Sequence, residues 1–218
     1  MNRIAIILVI MLLSALMTFS LAQNTYTLRP SYLNLSYVHQ NLKFAGADKV
    51  NSSFGAAFTI GHTYYICKNK PIANMIRFGL DATWLDLNYA NYNFKDPMQE
   101  EKEKIHQLEI GMQVGPSVTI TPVKNLYISA YFRFAPSFAA LFMQEDKKVG
   151  RSYASFFVTG ASVTYKIIGL GIEKRWGKCT YKGVNLEDGE DEETAYSLLP
   201  FSSAVKTNGL RIYLSFRF

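Results

Sequence analysis

Residues 75–87, "MIRFGLDATWLDL", set Phe78, Leu80, Ala82 and Trp84 against Arg77, Gly79, Asp81 and Thr83. An alternation of two, rather than a helical 3.6, places the apolar residues on one face of a β-strand and the polar ones on the other. Arg77 and Asp81 have opposite charge and stand mid-strand on the polar face. The fold follows from which way that face points.

The same period recurs along the chain. "SYLNLSYVHQ" sets Leu33, Leu35 and Tyr37 against Asn34 and Ser36. "FGAAFTIGHTYYI" sets Phe58, Ile60 and Tyr64 against Thr59, Gly61 and Thr63. Leu108, Ile110, Met112, Val114, Val118 and Ile120 oppose Gln107, Glu109, Gly111 and Gln113; Leu126, Ile128, Ala130, Phe132 and Phe134 oppose Tyr127, Ser129, Tyr131 and Arg133. A sixth strand lies in "SYASFFVTGASVTY", where consecutive Phe156 and Phe157 leave the phase open. The seventh has Ile168, Leu170 and Ile172 opposite Gly169, Gly171 and Glu173, and "GLRIYLSFRF", residues 209–218, supplies the eighth. Pro116 removes a ladder donor from the fourth strand, which predicts a bulge or an interfacial strand end there.

The connections alternate long, short, long, short, long, short, long. An antiparallel meander of eight strands puts all the long ones at one end, as in transmembrane barrels with short periplasmic turns and long external loops. A soluble lipocalin-like barrel also alternates, with its apolar face inward. The polar face decides between them: it carries Gly, Ser, Thr, Tyr and Gln where a soluble surface would carry Lys and Glu. Its charges, Arg77, Asp81, Glu109, Arg133, Glu173, Arg211 and Arg217, have both signs and would form an interior lattice of ion pairs, since a lone ion in a dry interior is costly. Because no backbone amide can go unpaired in hydrocarbon, the sheet must close, the last strand on the first.

The ends fit export. Residues 1–22 read as a signal peptide, with Arg3, an apolar stretch from Ile4 to Met17, and Ser20, Leu21 and Ala22 before the cut. Residues 23–218 then form one barrel domain. Basic residues are dispersed rather than clustered and the net charge of +6 is mild, so nucleic-acid binding is not indicated. Cys67 and Cys179 lack metal or redox spacing, and the topology puts them at opposite ends, beyond disulfide reach.

On these residues the chain resembles the small eight-stranded outer-membrane β-barrels of Gram-negative bacteria, in particular the barrel-domain proteins of Bacteroidota, from about Thr27 to Phe218. The resemblance implies an integral outer-membrane monomer among membrane lipid and lipopolysaccharide. It also implies that the barrel-assembly machinery reads Leu214, Phe216 and Phe218 as its signal. The glycine often five residues before the final aromatic is here Tyr213.

An eight-stranded barrel has room only for its own side chains, so no porin-like channel is expected. No cofactor, metal or catalytic group is predicted. His39, His62 and His106 lack a nucleophile motif, which leaves a lipid A-modifying enzyme as an alternative without a signature. Glu187, Asp188, Glu190 and Asp191 could gather a divalent cation, but a solvated loop face is the simpler reading of a like-charge run. Residues 96–99 read as a helix start capped by Asp96, and Phe138, Leu141, Phe142 and Met143 as an extension of the fifth strand or a partner patch. The function expected is structural or binding, through external loops that meet an extracellular or envelope partner. An accessory barrel of a secretion system, of the PorT type, is a further alternative.

Overall fold

The computed structural model describes residues 28–43, 49–66, 71–73, 75–95, 102–143, 149–180, 182–184 and 204–218. Among the described residues nine strands make the wall: β1 (Ser31–Lys43), β2 (Lys49–Tyr65), β3 (Ile76–Lys95), β4 (Lys102–Ile120), β5 (Leu126–Met143), β6 (Val149–Tyr165), β7 (Ile168–Thr180), β8 (Lys182–Val184) and β9 (Ala204–Arg217). β8 continues β7 along β6 in the same register, so the nine strands form eight staves. Each stave pairs antiparallel with its sequence neighbours, and β9 closes on β1 from Tyr32↔Arg217 to Lys43↔Lys206.

A circuit of paired residues measures the closure. It runs from Ser31 through His62, Ala82, Val114, Phe134, Phe157, Trp176 and Asn208 to Asn41, ten residues further along β1 than where it began. Eight strands with that stagger tilt by roughly 40° to the axis, the geometry of a small membrane barrel.

The faces are inside out relative to a soluble domain. Leu170 is 64% exposed, Trp84 52% and Ile212 55%, while Arg211 and Glu109 are 1% exposed. Among the described residues no helix is long and apolar enough to cross a membrane; the wall is built of strands, whose backbone groups are satisfied by closure.

The structure refines three sequence expectations. Much of what reads as long loop is strand: β3, β4 and β5 have 20, 19 and 18 residues, where about 10 span the hydrocarbon. Pro116 sits in neither a bulge nor a strand end, because β4 keeps one register with β5 on both sides of it, Val114↔Phe134 and Ser117↔Tyr131. The phase of β6 is settled with Phe156 fully buried inside and Phe157 43% exposed outside.

Candidate functional site: the barrel interior

Inward positions of successive strands face one another across a narrow lumen, so side chains far apart in sequence meet there. Arg133 on β5 lies 3.1 Å from Asp81 on β3 and 3.7 Å from Glu173 on β7. Arg211 on β9 is 3.0 Å from both Glu173 and Asp86. The result is one continuous chain of alternating charge, Asp81, Arg133, Glu173, Arg211, Asp86. Gln113 ties its last member back to its second, donating to Asp86 at 2.8 Å and accepting from Arg133 at 2.9 Å. A second cluster lies beside it, with Arg175 on β7 paired to Glu109 on β4 and donating to Ser137 on β5 at 3.1 Å. Glu109 also accepts from Gln107 at 2.8 Å and Asn88 at 3.0 Å.

Tyrosines fill the space around these ions. Tyr32 donates to Asp81 at 2.6 Å and Tyr131 to Glu173 at 2.9 Å, and Tyr131 meets the Tyr213 hydroxyl at 3.0 Å. The rings fit because the neighbouring inward positions are Gly61, Gly160 and Gly171; a Cβ there would overlap Tyr32, Tyr131 and Tyr213 respectively. A cavity of about 10 Å³ remains between Tyr32, Asn34, Ser215 and Arg217, room for one water at most.

All seven residues of the predicted lattice are buried. Asp81, Glu109, Arg133, Glu173 and Arg211 enter the two clusters. Arg77 and Arg217 lie elsewhere, toward the short-turn end: Arg77 donates to Thr121 at 2.8 Å, and Arg217 to Tyr65 and to the Arg29 carbonyl at 3.4 and 3.5 Å.

Sequence reasoning missed two members. Asp86 follows a bulge in β3, where the register shifts between Thr83 and Asp86 and both Trp84 and Leu85 turn outward. Strict alternation past Trp84 would point Asp86 at lipid. Arg175 was legible, being two residues beyond Glu173 on the same face.

The interior is also less polar than expected. Toward the long-connection end Leu42, Tyr92, Ile105, Leu141, Phe156 and Val205 form an apolar cluster inside the wall. Leu141 is 2% exposed within it, whereas Phe138 and Phe142 are outward at 48% and 41%, so these residues form no common patch. Cys179 is buried there too, its Sγ 3.7 Å from the Thr207 hydroxyl.

The histidines sit on the outer face. His106 meets the Tyr89 hydroxyl at 2.7 Å, and Ser31 meets His62 at 3.0 Å, a contact the sequence did not signal. Among the described residues no carboxylate bonds to His62, so the pair lacks the orienting group of a hydrolytic triad. Among the described residues no three metal-ligating side chains converge. The acidic run Glu187, Asp188, Glu190 and Asp191, the Asp96 cap, Cys67 and the leader at residues 1–22 lie outside the described residues. Leu214, Phe216 and Phe218 turn outward at the end of β9, where the Phe218 backbone exchanges hydrogen bonds with Ser31 at 3.0 and 3.2 Å.

No family model and no curated protein matches the chain. Solved structures do. Neisserial surface protein A (NspA) aligns with a TM-score of 0.47 at 13% identity, over 86% of this chain and 97% of that one. Ail, the attachment invasion locus protein of Yersinia pestis, aligns with a TM-score of 0.46 at 10% identity, over 86% and 97%. The outer membrane protease OmpT from Escherichia coli aligns with a TM-score of 0.45 at 9% identity, over 90% and 99%.

Proposed function

We propose that this chain is an integral barrel of a bacterial outer membrane, exported by a leader at residues 1–22, monomeric, and acting as a structural or binding protein through the strand extensions and connections at its long-connection end. The observation that carries this is the inverted wall, a closed sheet with Leu, Ile, Phe and Trp outward and arginine–carboxylate pairs inward. That order is stable where lipid surrounds the protein and unstable in water.

The filled lumen supports a role other than transport, and the outward histidines are assigned no catalytic part. Its neighbours in place would be membrane lipid and lipopolysaccharide, and the long-connection end would meet an extracellular or envelope protein. During biogenesis Leu214, Phe216 and Phe218 would be read by the assembly machinery. Phe218→Ala should lower the amount assembled several-fold while leaving the melting of the assembled fraction nearly unchanged. Normal assembly of that variant would remove the signal.

Membrane fractionation with heat-dependent gel mobility tests the location, and the protein in a soluble fraction would refute it. Crosslinking in intact cells followed by co-purification tests the role. A single envelope or extracellular partner is expected. Recovery of a secretion complex would point to an accessory barrel, and altered lipid A on deletion to an enzyme.

A further inference from the structure

Among the described residues two prolines lie within strands, Pro116 in β4 and Pro136 in β5. In an antiparallel ladder successive residues turn their N–H groups to opposite neighbours, so each missing donor belongs to one seam only. The β3–β4 ladder runs unbroken through Leu80↔Pro116, and the β5–β6 ladder unbroken through Pro136↔Ser155. Neither of those seams needs the proline donor. Both losses therefore fall between β4 and β5, where the pairing thins to Gly111↔Ser137, Val114↔Phe134 and Ser117↔Tyr131. By that register Pro116 stands opposite Phe132 and Pro136 opposite Met112. Only Val114↔Phe134 holds the backbone between them.

The interior side chains straddle the same stretch. Arg133 on β5 reaches Gln113 on β4 at 2.9 Å. Arg175, from the far wall, grips Glu109 on β4 and Ser137 on β5 at once. Where the backbone ladder fails, charged side chains fasten the seam from within.

We infer that the β4–β5 seam around Val114↔Phe134 is a latched lateral opening of the barrel, which parts toward the bilayer and is held shut by Arg133 and Arg175. What it faces is hydrocarbon, so its opening exposes Gln113 and Ser137 to amphiphiles in the membrane rather than to solutes in water. The inference rests on the reading that lipid surrounds the wall.

Residue-resolved hydrogen exchange of the protein in phospholipid nanodiscs tests it. The Val114 and Phe134 amides should exchange about tenfold faster than those of Gly171 and Tyr213, which bond to each other in the uninterrupted β7–β9 seam. Pro116→Val combined with Pro136→Val returns both donors and should slow them by a similar factor. Arg175→Met combined with Glu109→Gln removes one strap without leaving a lone buried charge and should speed them further. Equal exchange in the two seams, or no slowing in the valine variant, would overturn the inference. A chain that does not enter the nanodisc would overturn the membrane reading and this one with it.

Discussion

Arg211 joins two carboxylates of the interior, its guanidinium shared by Asp86 and Glu173 at 3.0 Å each. Removing it leaves Asp86 buried without the arginine that pairs with it and Glu173 with only the longer contact to Arg133 at 3.7 Å, a larger penalty than the worth of the ion pairs themselves. Arg211→Met should therefore destabilise the folded barrel by about 3–5 kcal/mol, read as a shift in the urea midpoint of the lipid-inserted protein. Arg211→Met with Asp86→Asn and Glu173→Gln should recover most of that loss, since no uncompensated charge then stays inside. If the triple variant were no more stable than the single one, the arginine would act by packing rather than by charge. At this scale the sequence was informative to the extent that faces could be counted. Phase alone gives the inward direction of all seven predicted residues, though not that Arg77 and Arg217 stand outside the two clusters, and Arg175 carries the same signal in its spacing from Glu173.

Asp86 marks where counting residues gives way to elements. Its inward direction depends on the β3 bulge, in which Trp84 and Leu85 both face outward. A bulge inserts one residue and reverses the phase beyond it, and nothing in "ATWLDL" announces that to a count of two. Deleting Leu85 should be tolerated, because Thr83, Trp84 and Asp86 would then alternate regularly with Asp86 still inward. Deleting Ile128 from the regular strand β5 should not. It reverses one side of that strand against the other and turns either Arg133 outward or Leu126 inward, and an arginine at the bilayer midplane costs about 2–4 kcal/mol. Heat-dependent gel mobility measures the folded fraction of each, and equal yields would show that phase does not govern folding here. Strand ends were less legible than strand faces for a related reason. Polar and small residues such as those in "NYANYN", residues 88–93, suit a loop, yet they pair here because the neighbouring staves continue beside them.

For the whole molecule, the lumen is blocked twice in series. Below is the ion network around Arg133 and Arg211; above is the apolar cluster of Leu42, Tyr92, Leu141 and Phe156. The upper block was hidden in the sequence because β5 and β6 carry large apolar residues on both faces there, and periodicity cannot separate lipid-facing Phe157 from lumen-facing Phe156. Two blocks in series make a definite prediction about conduction. An ion entering from the long-connection end must cross a dry apolar segment and then a lattice whose charges already satisfy one another, so opening either alone gives no path. Leu141→Ala with Phe156→Ala removes much of the upper block and should lower stability by several kcal/mol. The barrel should still show no steady conductance in a planar bilayer, because the network beneath is intact. A sustained current through that variant, with heat-dependent mobility showing it folded, would mean that the ion pairs separate on the timescale of permeation. The paired arginines would then be a gate rather than a seal.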